Sequence, residues 1–186
     1  MSLDRSDLIR GLTEVVALLR ERGEPAGIRI IGGAALSLRY FERRTTEDID
    51  AKVNPPGSAL SIAAEVAAAH GWPADWLNTK ADHFIPIAKD VGWDSLYDDG
   101  EVSVWVASAP ALLAMKLRAS RPGRDDDDIA NLLAICGVED VGTASELFEK
   151  YYPGEVLPDK ALRMLGAIFS QGLLTVPEEP PRPDFG

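Results

Sequence analysis

Residues 28–53 read Ile-Arg-Ile-Ile-Gly-Gly-Ala-Ala-Leu-Ser-Leu-Arg-Tyr-Phe-Glu-Arg-Arg-Thr-Thr-Glu-Asp-Ile-Asp-Ala-Lys-Val, and this stretch decides the fold. It predicts an apolar strand, a turn at Gly32-Gly33, a short helix, and a second strand opening on Asp48-Ile49-Asp50. Alternate residues of a strand share a face, so Asp48 and Asp50 stand side by side. Two like charges that close attract a cation, and hard carboxylate oxygens suit Mg²⁺, usually held by one or two carboxylates together with substrate phosphates. Gly32 and Gly33 let backbone N–H groups approach a phosphate at the positive end of the helix that follows. Taken singly, a Gly-Gly turn is usually only a turn, and an Asp-x-Asp strand start is usually a solvated edge. Their union in one strand–turn–helix–strand unit points to nucleotide chemistry.

The pattern of an apolar residue, Gly-Gly, a short helix and Asp-x-Asp resembles the nucleotidyltransferase superfamily with a polymerase-beta-like core. In its finer form, Gly32-Gly33-Ala34-Ala35-Leu36 followed by Arg44-Thr45-Thr46-Glu47-Asp48-Ile49-Asp50, it resembles the branch that contains the AbiEii-type and MenT toxins of toxin–antitoxin systems. A second block carries the same resemblance: Ala114-Met115-Lys116-Leu117-Arg118-Ala119, then Arg124-Asp125-Asp126-Asp127-Asp128-Ile129. Trp76-Leu77-Asn78 and Phe84-Ile85-Pro86 are also similar to bacterial members. The resemblance implies an α/β (α+β) fold, a small mixed sheet flanked by helices with a helical C-terminal part. It implies Mg²⁺ on Asp48 and Asp50, and an NTP on Gly32, Gly33, Arg44 and Lys116. Lys116, Asp125 and Asp128 join Asp48 and Asp50 as implied catalytic residues. The implied partners are a tRNA acceptor and a cognate toxin or antitoxin protein.

The sequence departs from the pattern in one respect that bears on catalysis. Full-pattern members carry a third acid on a later strand, completing a two-metal site that clamps the attacking and leaving oxygens. Here Ser103 and Trp105 stand in that strand, and only Glu101 is acidic. Three readings stay open: Glu101 serves, Asp125 or Asp128 substitutes, or a single metal binds. Gly33 also stands where many active members have Ser.

The chain has 186 residues, 46% of them hydrophobic, enough for one main core. We expect a nucleotidyltransferase-like core over 1–140, a helical extension of the same domain over 141–176, and a disordered tail over 177–186, rich in Pro and Glu. No apolar run approaches the roughly 20 residues of a membrane span, and no signal-peptide pattern opens the chain. The single Cys136 fits a reducing cytoplasm. A net charge of −11 repels nucleic acid at long range. Basic residues nevertheless gather at Arg39, Arg43, Arg44 and Lys52 and again at Lys116, Arg118, Arg121 and Arg124, which would make a positive funnel if both groups border one cleft. For any one arginine, pairing with a carboxylate is the simpler fate. Lys116, in an apolar helix, reads most simply as a snorkelling side chain, and Asp125–Asp128 as acids favourable to a helix N-terminus. Two histidines and one cysteine make a zinc site improbable.

Three functions are therefore weighed: a Mg²⁺-dependent transferase moving an NMP to an acceptor hydroxyl; a catalytically weak nucleotide- or partner-binding module, antitoxin-like; and transfer to a small molecule. Acidity favours the second and third, and the intact Asp-x-Asp favours the first.

Overall fold

In the computed structural model, residues 2–42, 45–172 and 174–186 are described. They form a five-stranded mixed sheet and seven helices, in two compact units.

Unit 1 comprises residues 1–82, 93–107 and 179–186. It opens on α1 (Arg5–Arg22), whose Asp4 side chain accepts from the Asp7 amide in a reciprocal capping box. Then come β1 (Ala26–Ile31), α2 (Gly32–Arg39), β2 (Ile49–Asn54), α3 (Pro56–His70), the two-residue β3 (Leu77–Asn78), β4 (Trp93–Asp98) and β5 (Val102–Ala107). The sheet order is β3-β2-β1-β5-β4; β1 runs parallel to β5 and antiparallel to β2.

Alternation gives the sheet two unlike faces. Ile28, Ile30, Ile49, Ala51, Val53, Val102, Val104 and Val106 are all buried. The opposite face carries Gly27, Arg29, Asp50, Lys52, Ser103 and Trp105, none of them fully buried. α1 packs on α3 with no room to spare. A Cβ on Gly11 would lie 2.5 Å from Cη2 of Trp76 and 2.8 Å from Cζ3 of Trp72. The Trp76 indole is fully buried and donates to the Ala63 carbonyl at 2.7 Å. Trp72 and Trp76 are thus core residues, and His70 stacks on Trp72 at 4.6 Å while meeting Glu14 at 2.8 Å.

Unit 2 comprises residues 83–92 and 108–178, with α4 (Ala109–Ala119), α5 (Asp126–Cys136), α6 (Val141–Tyr151) and α7 (Asp159–Ser170). The Ser108 hydroxyl, at the N-cap position of α4, donates to the Val91 carbonyl rather than capping the helix.

Several elements differ from expectation. Residues 71–100, with several Gly and Pro, look loop-rich in the sequence, yet they supply β3 and β4. Trp-Asp-Ser-Leu-Tyr-Asp alternates poorly because the β4–β5 ladder shifts register between Ser95 and Tyr97, and a bulge breaks period-two patterning. The break at Asn54-Pro55-Pro56-Gly57 suggests a helix capped by Ser58, but α3 already starts at Pro56, since proline in a first helical turn loses no hydrogen bond. Of the tail expected to be disordered, residues 179–186 are seated in unit 1. Glu179 pairs with Arg39, Arg182 donates to the Ser95 carbonyl at 2.7 Å, and Phe185 is 3% exposed.

Candidate functional site

β1 ends and α2 begins at Gly32, whose φ of +67° is strained for any residue with a Cβ. Ile31 pairs across the ladder with Asp50, so the Gly turn and the second acid meet by register. The contact is close: a Cβ on Gly32 would lie 3.4 Å from Oδ2 of Asp50. Gly33 lies in the first turn of α2, which has no side-chain cap and no acid of its own. Its first N–H groups are therefore donors without the usual internal acceptor.

Asp48 and Asp50 are both half-buried and flank the buried Ile49. The loop before them is pinned to the N-terminus by paired bonds between Leu3 and Thr46 at 2.7 and 2.9 Å. On the far side, β3 runs parallel to β2 with Asn78 opposite Asp50. The Asn78 amide donates to Oδ2 of Asp48 at 2.9 Å, and its Oδ1 accepts from the Lys80 N–H at 2.9 Å. Lys80 forms an ion pair with Asp75, which holds its ammonium above the usual lysine range, with smaller contributions from the fields of Asp48 and Asp50. Asn78, part of the Trp76-Leu77-Asn78 resemblance but not expected at the acids, and Lys80, not expected at all, thus contribute to the surroundings of the acid pair. Only the β2–β3 pairing reveals them.

Two half-buried carboxylates on one face, one oriented by an amide and the other against an open glycine, match the hard oxygen donors that Mg²⁺ takes. Among the described residues no group of three or more His, Cys, Asp or Glu side chains converges as a metal site. Glu101 is removed from the acid pair: its carbonyl accepts from the Ala26 amide at 3.0 Å, at the other end of β1 from Ile31. Five residue rises separate the two ends, about 17 Å.

In unit 2, Lys116, Asp125 and Asp128 form one buried ion cluster. The Lys116 ammonium lies 2.6 Å from Asp125 and 2.7 Å from Asp128, with Lys116 and Asp128 each 5% exposed and Asp125 0%. Arg121 grips Asp125 through Nε and Nη2 at 2.9 and 3.1 Å. Burial opposes ionisation of Asp125, but Arg121 and Lys116 together outweigh it and hold the carboxyl below its ordinary range. Lys116 is therefore not a snorkelling surface residue. The cluster ties the end of α4 to the start of α5, and two of the three ammonium donors are committed to it.

Several other arginines are spent on carboxylates: Arg39 on Asp94 and Glu179, Arg118 on Glu155, Arg22 on Glu65. Arg44, expected at the nucleotide, and Arg43 lie outside the described residues. Cys136 is no nucleophile, since burial pushes its thiol up to about 11.

The sequence model of one protein family, described as nucleotidyltransferase of unknown function (DUF6036), matches residues 7–165. The chain belongs to this family. The match spans the Gly32–Asp50 block and the Lys116–Asp128 block alike, so both are parts of a DUF6036 nucleotidyltransferase domain. The mixed sheet flanked by helices agrees with that assignment. Comparison with the curated proteins and with the solved structures gave no significant match. No helix of this DUF6036 member is long and apolar enough to cross a membrane, among the described residues.

Proposed function

We propose that the protein transfers an NMP from an NTP to an acceptor hydroxyl, with Asp48 and Asp50 holding Mg²⁺. The observation that supports this reading is the meeting of Gly32 and Asp50 across the β1–β2 ladder, which brings the glycine turn against the second acid of the pair. When bound, Mg²⁺ would offset phosphate charge and orient the α-phosphate for in-line attack, with pyrophosphate leaving. The chain's own contributions are separable. The free N–H groups at Gly32 and Gly33 bind phosphate oxygens, favoured by the α2 dipole. Asn78 fixes the rotamer of Asp48. Lys80, exposed and adjacent, follows the negative charge of the triphosphate. Arg44 and the remaining donor of Lys116 are proposed phosphate contacts on the resemblance alone. Asp125 and Asp128 enter as the acids that hold Lys116.

The resemblance to the AbiEii and MenT branch suggests a tRNA end as acceptor, a cognate partner protein in a toxin–antitoxin pair, and a cytoplasmic setting. The test is incubation with Mg²⁺ and each α-labelled NTP, in the presence of total RNA, total protein or a small-molecule panel. Label should enter one acceptor class and be lost in Asp50→Ala. A second reading, a nucleotide- or partner-binding module, is favoured by the absence of a converging third acid among the described residues. Nucleotide binding without transfer to any acceptor would establish it.

A further inference from the structure

The open face of the sheet in unit 1 carries an unusual row. Arg29 of β1 pairs directly with Lys52 of β2 on one side and with Trp105 of β5 on the other. Trp105 pairs in turn with Ser95 of β4, and the Arg29 guanidinium lies 5.5 Å from the centroid of Trp93. Arg29 and Lys52 are exposed; Trp93 and Trp105 are half-exposed. Two like charges directly opposite each other destabilise a sheet. Among the described residues neither Arg29 nor Lys52 has a carboxylate within ion-pair distance, in a chain with 30 acidic and 19 basic residues. Acids are abundant in the chain, yet none of the described ones pairs with either of these two cations. The floor beside the row is flat, with Gly27 opposite Ser103 and Asn54. Asp98, opposite Ser103, is the acid at the far end of that face.

The geometry points to a docking platform for a single-stranded nucleic acid: phosphates on Arg29 and Lys52, and a base stacked on Trp105. Cations that track a backbone beside an aromatic plane are the chemistry that holds single strands without reading sequence. Charge complementarity supports that occupant, since the rest of this acidic surface repels it and leaves the row as its landing place. The row lies two residues along β1 and β2 from Ile31 and Asp50, about 7 Å, which sets a strand docked here beside the acid pair. This inference rests on the reading of Asp48 and Asp50 as the transferase site and names its acceptor as a nucleic-acid strand.

Binding of an end-labelled oligouridylate is measured by fluorescence anisotropy at low salt, with neither NTP nor Mg²⁺, so that it is independent of transfer. The wild type should bind. Arg29→Ala/Lys52→Ala should weaken binding at least 10-fold and flatten the log Kd against log salt slope by about 1 to 1.5, the release expected for two phosphates on a single strand. Trp105→Ala should weaken it by about 10-fold with the slope unchanged, Trp105→Phe should recover much of the loss, and Arg22→Ala should do nothing. No binding by the wild type, equal losses in Arg22→Ala, or equal competition by polyglutamate would overturn the platform. Calorimetry of Mg²⁺ and NTP against Asp50→Ala in parallel tests the transferase reading separately, because it does not depend on the row.

Discussion

At Gly32 a single backbone angle links fold to proposed chemistry. The residue sits at φ +67°, and a Cβ there would touch the Asp50 carboxylate at 3.4 Å. Gly32→Ala should cost about 1–2 kcal/mol in strain. Relief of that strain would re-aim the turn beside Asp50, so Mg²⁺-dependent nucleotide affinity should fall further than the change in denaturation midpoint accounts for, by calorimetry. At Lys116 the expected loss is larger. Lys116→Met removes the ammonium shared by two buried carboxylates, and breaking a buried pair this way costs about 3–5 kcal/mol. Urea denaturation should show that loss, and the triple change Lys116→Met, Asp125→Leu, Asp128→Leu should recover most of it. A midpoint unmoved by Lys116→Met would mean that the cluster does not stabilise the fold.

Among elements, the α1–α3 contact is governed by the absence of one side chain. Gly11 is mid-helix, where glycine is unfavourable by about 1 kcal/mol against alanine. It is there because the Trp76 and Trp72 rings occupy the space of its Cβ. Gly11→Ala should therefore destabilise by about 1–3 kcal/mol despite its better helix propensity. Thermal melting read by near-ultraviolet tryptophan signal checks the sign. A stabilised variant would show that Trp76 has room to move. The first strand–turn–helix–strand unit was legible because each piece has a local cause: apolar runs, a Gly-Gly turn, and alternation. β4 was not, because its bulge removes the period on which strands are recognised. Nor was β3, since two residues carry no period at all.

For the molecule as a whole, the acidic excess sets the response to pH. Asp125 is held below its ordinary range by Arg121 and Lys116 against burial, Asp99 by the amide of Val102 and then the Tyr97 hydroxyl, and Asp140 by the amide of Thr143. A carboxyl whose folded pKa is depressed adds stability above its unfolded value, near 3.8, and loses it as pH falls through the folded value. Stability should therefore be little changed by these groups from pH 7 to 5 and fall below about pH 4, less steeply in Asp125→Asn, as read by urea midpoints. The sequence by itself determined the succession of elements in the first block, the glycine turn, the adjacent carboxylates and the nucleotidyltransferase superfamily, because each is written in residues near one another in the chain. Only the tertiary structure decided that Asn78 and Lys80 attend Asp48, that Lys116 is buried between Asp125 and Asp128, and that Arg29, Lys52 and Trp105 make one row. Those facts depend on strand register and helix packing, which join residues far apart in the chain and leave no local signal in it.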